Sequence, residues 1–262
     1  MTFTTNLDPK GVMTVTLNRP EVHNVFNDEM IASLTEAFLG FSKDPDIHVV
    51  VLQGTGKSFC AGADLNWMKR MKDYSKEENF RDSVALSRMF QAINFCRKPV
   101  VASVHGAALG GGVGLVACCD YVVASEDAVF GLTETKLGLL PAVISPFVIA
   151  KIGESRARAY FLTAERFNST QAKEMGLIHQ ISLDRYFQAD TDKIVNALLS
   201  VGPKARELAK DLIFNVRNLM SSSDFKPVED FTCRLISEVR TSSEGQEGMA
   251  ALLEKRKPQW KK

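Results

Sequence analysis

Val100-Val101-Ala102-Ser103-Val104-His105-Gly106-Ala107-Ala108-Leu109-Gly110-Gly111-Gly112 is a β-branched, mainly apolar run that passes directly into glycine and alanine. Such a run, stopped by glycine, fits a strand buried on both faces of a sheet. The Gly/Ala stretch at 106–114 then leads into a short apolar helix through Cys119. The same order occurs upstream. Residues 47–52 form a second run, apolar but for His48 and ended by Gly54, and Phe59-Cys60-Ala61-Gly62-Ala63-Asp64-Leu65 supplies small residues just beyond it.

Working outward, residues 13–17 alternate and stop at Asn18-Arg19-Pro20, which predicts a strand. Residues 27–41 place Met30, Ile31, Leu34, Ala37, Phe38 and Phe41 at helical spacing. A further helix spans 77–96, with Phe80, Val84, Met89, Phe90 and Ile93 facing inward, and short strands follow at 121–124 and 128–130. Alternating helices and strands argue for an α/β fold. The second half turns helical. Ser145 with Pro146 reads as a cap and first helical proline, Gly176 as the stop of a helix from about Ser169, and Gly202-Pro203 as the start of a long helix. Ser243 and Gln246 have the spacing of a capping box for a last helix through Leu253. The change near residue 200 divides the chain into 1–200, an α/β core, and 201–262, a helical region.

The chain has 262 residues, 45% hydrophobic and 24% charged, which suits a sizeable globular core. Its 32 basic and 31 acidic side chains give a net charge of +1, so no overall charge favours nucleic acid or an anionic membrane. No apolar run is long enough to cross a bilayer, and the start shows no secretory pattern, so a cytoplasmic protein is expected. Cys60, Cys96, Cys118, Cys119 and Cys233 show no C-x-x-C spacing, and the four histidines form no ligand pattern. Inert thiols and no metal are expected.

Two motifs are set aside. Gly54-Thr55-Gly56-Lys57-Ser58 ends like a phosphate loop, but Val51 stands where the first glycine belongs. Gly112 to Ala117 fits the dinucleotide pattern G-x-G-x-x-A, and Glu134 follows about 20 residues on. Residues 106–111 nevertheless separate these glycines from the strand end, where an immediate turn is required. The stronger constellation is the pair of small-residue segments. Each leaves backbone N–H groups open to close approach, and the second opens a helix whose dipole favours negative charge. Two converging N–H groups would form an oxyanion hole.

These residues resemble the enoyl-CoA hydratase/isomerase (crotonase) superfamily. The resemblance runs through Leu17-Asn18-Arg19-Pro20, Ala61 to Asp64, Gly110 to Gly112, Cys119-Asp120, Phe130-Gly131 with Glu134, Glu247-Gly248-Met249 and Glu254 to Lys257. It implies a crotonase-like spiral of repeated ββα units with a C-terminal helical region used in trimer contacts, and trimers or hexamers made of two trimers. The resemblance further implies an acyl-CoA thioester substrate with no separate cofactor. Its oxygen would accept from the Ala63 and Gly111 N–H groups, with Glu134 as acid and base. Ala61, Gly62, Ala63, Asp64 and Leu65 would line the CoA side, and Lys255 would approach its phosphates or else remain a solvated lysine.

Hydratases of this family often use two glutamates, and the second would fall at Gly114. Three readings stay open: a hydratase with one acid, a Δ3,Δ2-enoyl-CoA isomerase, and a non-catalytic acyl-CoA binder. The segments 63–68, 114–120, 140–148 and 162–167 are similar to bacterial 3-methylglutaconyl-CoA hydratases of leucine breakdown and their isohexenylglutaconyl-CoA relatives. Those substrates carry a distal carboxylate, for which Lys136 or Arg158 is the expected cation.

Overall fold

The two apolar runs are parallel neighbours at the centre of one sheet. The computed structural model describes residues 1–221 and 223–260. The chain opens with β1 (Phe3–Leu7), β2 (Val12–Leu17), α1 (Asp28–Phe41) and β3 (Val49–Gly54). After α2 (Leu65–Met71) and α3 (Lys76–Asn94) come β4 (Val100–Val104), β5 (Ala107–Leu109) and α4 (Gly111–Cys118). β6 (Tyr121–Ser125), β7 (Val129–Gly131), α5 (Ser145–Thr163), β8 (Arg166–Asn168), α6 (Ser169–Glu174) and β9 (Gln180–Ser182) follow. The remaining helices are α7 (Phe187–Leu199), α8 (Pro203–Leu219), α9 (Lys226–Thr241) and α10 (Ser243–Leu253).

The large sheet has the order β1-β2-β3-β4-β6-β9, and a smaller one has β5-β7-β8. β3 and β4 pair in parallel, Val50 opposite Val100 and Leu52 opposite Ala102. Helices cover parallel sheets on both faces, which is why these strands read as mainly apolar runs. All of β4 is buried. The expected repeat is present: β4 is followed by β5 and α4, and β6 by β7 before the chain turns to α5. The core gathers Phe26, Phe38, Phe59, Phe90, Phe130 and Phe167, all nearly or fully buried. Among the described residues, no helix is long and apolar enough to cross a membrane.

Two compact units result, Met1–Lys193 and Ile194–Lys262. The boundary read from the sequence at 200/201 follows the last helix of the alternating pattern, whereas the unit limit falls within α7.

Several local expectations need correction. Phe80 is 69% exposed, because the first turns of α3 run beyond the core that receives Met89, Phe90 and Ile93. Ser75, not foreseen, starts that helix in a capping box with Glu78. Ser145 is the first residue inside α5, and its hydroxyl donates back to Ala142 O at 2.7 Å. For α10 the cap is Ser242, which accepts from Gly245 N, while the Gln246 side chain donates to Arg240 O. Gly176, with φ of 82°, does sit just past α6 as a left-handed stop.

Candidate active site

The two small-residue segments lie side by side. Beyond β3, Phe59 N donates to His105 O at 3.0 Å and Cys60 N to Ala107 O at 3.1 Å, while Leu109 N donates to Cys60 O at 3.0 Å. Cys60 thus pairs in parallel with Ala108. The approach tightens at Gly112, where a Cβ would lie 2.1 Å from Cys60 O, so no other residue fits without moving backbone.

Ala63 forms a parallel bridge with Phe26. Phe26 N donates to Gly62 O, and Asp64 N donates to Phe26 O, both at 2.8 Å. Alternation along the extended chain then directs the Ala63 N–H away from Phe26. Gly111 opens α4, where the first N–H groups of a helix have no intrahelical acceptor. Gly110 N donates to Gly131 O at 2.8 Å, and Val113 N and Gly114 N share Gly110 O. Among the described residues, neither Ala63 N–H nor Gly111 N–H has an acceptor.

Glu134 comes to the same turn from a different element. It begins a one-turn 3-10 helix, Glu134–Leu137, fixed by a bond from Leu139 N to Glu134 O and by Thr135 Oγ1 donating to Phe161 O. A Cβ at Gly110 would lie 3.2 Å from Glu134 Oε1, so the carboxyl group faces the glycine turn that opens α4. Its Oε2 is buried with no hydrogen-bond partner. Burial pushes the carboxyl pKa above the usual glutamate value, against the smaller opposing pull of the residue's own N–H.

Gly114 lies in the buried interior of α4. A Cβ there would meet Ile144 Cγ2 at 2.4 Å and Phe90 Cε1 at 2.9 Å. The direction in which a second carboxylate would extend is therefore filled by hydrocarbon. Phe90 in turn packs against Phe26 and Phe147, with ring centroids 6.1 and 6.0 Å away. Neither Ile144 nor Phe90 stands out in the sequence as a site residue: Phe90 reads there as an inward helix position, and Ile144 only as part of segment 140–148.

The other expected residues fall in different settings. Asp64 caps α2 by accepting from Asn66 N and Trp67 N, and pairs with Arg19 at 2.7 Å. Burial raises its pKa, but the Arg19 guanidinium and the two N–H groups outweigh burial and hold it below the usual carboxylate range. Such a group stabilises the fold above its unfolded pKa, about 3.9, and loses that contribution as pH falls through its lower folded value. Asp64→Asn should cost about 2 kcal/mol at pH 7 in urea unfolding. The two proteins should converge as pH falls below the usual carboxylate range, where wild-type Asp64 finally takes up its proton.

Leu65 opens α2 and is 73% exposed. Burial pushes the Cys60 thiol up to about 12, which leaves it inert as a nucleophile. Lys136 is exposed two residues beyond Glu134, whereas Arg158 lies on α5 and pairs with Glu154 at 3.6 Å. Lys255 belongs to the second unit, exposed just past α10 with a left-handed φ of 53°.

The sequence matches the family model described as enoyl-CoA hydratase/isomerase over residues 8–262. It is 36% identical over 258 residues to the enoyl-CoA hydratase AKT6-1 of Alternaria alternata, covering 96% of this chain and 81% of that one. A solved enoyl-CoA hydratase from Shewanella pealeana superposes with a TM-score of 0.94 at 38% identity, over 99% of this chain and 96% of that one. AtuE of Pseudomonas aeruginosa also gives 0.94, at 32% identity over 100% of both chains.

Proposed function

Because the chain belongs to the enoyl-CoA hydratase/isomerase family and has its crotonase fold, we propose that it is a hydro-lyase adding water reversibly across the double bond of a 2-enoyl-CoA. The acyl group in this reading is of the 3-methylglutaconyl type, following the similarity of segments 63–68, 114–120 and 140–148 to that group of hydratases. One observation carries the mechanism. Two N–H groups without acceptors and a buried carboxylate oxygen without a donor lie around the segment that opens α4.

In this mechanism the thioester oxygen accepts from Ala63 N–H and Gly111 N–H, whose bonds strengthen as charge builds on that oxygen. Glu134, as carboxylate, takes a proton from water while the water oxygen bonds to the β-carbon. The electron pair of the double bond moves into the enolate. Glu134 then returns a proton to the α-carbon as the enolate collapses, so one water is added and the carboxylate is restored. The filled space beyond Gly114 leaves this proton traffic to a single acid.

The same observation favours a second reading, since one carboxylate suffices to move a proton between two carbons. A Δ3,Δ2-enoyl-CoA isomerase would use the identical donors and involve no water. Reaction of 2-enoyl-CoA in water enriched in heavy oxygen separates the two. The expected product carries label in its β-hydroxyl. Double-bond migration from a 3-enoyl-CoA with no labelled hydroxyl would replace hydration by isomerisation.

A further inference from the structure

Phe26 touches both halves of the proposed oxyanion hole, and we propose that it is a positioning residue that sets the span between the Ala63 and Gly111 N–H groups. The inference rests on the oxyanion reading above. Phe26 is bonded on either side of Ala63, donating to Gly62 O and accepting from Asp64 N, both at 2.8 Å. The other end of the same residue reaches the second donor. Its ring edge, Cε2, lies 2.5 Å from where a Cβ of Gly111 would stand, so the ring rests against the Gly111 Cα. Backbone fixes one donor and side chain limits the other, with a rigid ring between them.

The spacer is braced from two directions. On the core side, Phe90 meets the Phe26 ring edge-on, at 6.1 Å between centroids and 87° between planes. On the other side, Arg19 donates through one nitrogen to Val25 O at 2.8 Å and through another to Asp64 Oδ2 at 2.7 Å. Arg19 thereby ties the residue before Phe26 to the residue after Ala63. Asn24, fully buried, accepts from Arg19 N and donates to Thr55 O and Ser58 O, which anchors the start of the same segment. A leucine at position 26 keeps the backbone bonds but has no atom as far out as Cε2. Gly111 can then shift toward the gap while Ala63 stays in place.

A residue that only fills the core would change stability and leave the bound carbonyl unaltered. The test therefore reads the carbonyl directly. Butyryl-CoA labelled with heavy carbon at the thioester carbonyl, a saturated ester that cannot add water, is bound to each protein and its C=O stretch is recorded by infrared difference spectroscopy. Wild type is expected to lower the stretching frequency on binding. Phe26→Leu should bind the probe, show a smaller shift, and lose about tenfold or more in kcat with KM within about twofold. An undiminished shift in Phe26→Leu overturns the inference, whatever its kcat. Arg19→Gln, which releases the same segment from outside the core, is measured alongside. If Phe26→Leu does not fold, an undiminished shift in Arg19→Gln overturns the inference in its place. Absence of any shift in wild type overturns the oxyanion reading itself, and the role of Phe26 with it.

Discussion

Glu134→Gln is expected to lower kcat by about two orders of magnitude or more while leaving CoA-thioester binding nearly intact. The substitution keeps the shape and hydrogen-bonding size of the side chain, and Glu134 Oε2 has no partner to lose in the described structure. The proton-accepting oxygen is what disappears. Binding would be followed by calorimetry with a saturated CoA ester, and turnover by the loss of enoyl absorbance. Unchanged turnover would remove Glu134 from the chemistry. The wild-type pH profile offers a second check. Burial favours the protonated form, so the carboxylate needed to accept a proton from water forms only at a pH above the usual glutamate range. The acid limb of kcat/KM should therefore lie above pH 4.5, the ordinary value for this group, and should be missing from any residual Glu134→Gln activity.

Supplying the second acid should not produce a better enzyme. Gly114→Glu is expected to destabilise the protein by about 3–5 kcal/mol, because it combines overpacking with an unpaired buried charge. The clash is already present at the Cβ, 2.4 Å from Ile144 Cγ2 and 2.9 Å from Phe90 Cε1. Gly114→Ala isolates the steric part and should cost about 1–3 kcal/mol. Trimming the neighbour as well, in Gly114→Glu with Ile144→Ala, should recover part of the loss. Chemical denaturation of the four proteins orders them, and a Gly114→Glu variant as stable as wild type would show that the surrounding hydrocarbon yields easily.

Much of this fold was legible because its central strands are buried on both faces. The runs that became β3 and β4 contain almost nothing but apolar residues, and the small residues after them marked where backbone had to come close. The same small residues carry the proposed donors. Element ends were less legible. Ser145 and Ser243 each looked like a cap, yet the caps are Ile144 and Ser242: adjacent Ser242 and Ser243 give nearly equal local signals, and Ile144 caps with no side-chain bond at all. Phe80 fits the apolar periodicity of α3, but periodicity does not show how far the core extends along a helix. The bridge between Phe26 and Ala63 joins residues far apart in sequence, and so does the filling of the space at Gly114 by Ile144. Neither leaves a local pattern, so the sequence points to the proposed donors and acid but not to what holds them in place.

The ladder between Cys60 and Ala108 divides the work of the molecule. Its backbone bonds are made by the chain itself, so the N–H groups that the proposed mechanism aims at the thioester oxygen are a fixed feature of the resting protein. They can only recognise an atom common to every acyl-CoA. Discrimination between one acyl tail and another must then lie in side chains outside the ladder. On the proposed mechanism, exchanging residues there would redirect the protein to a new ester without rebuilding the donors.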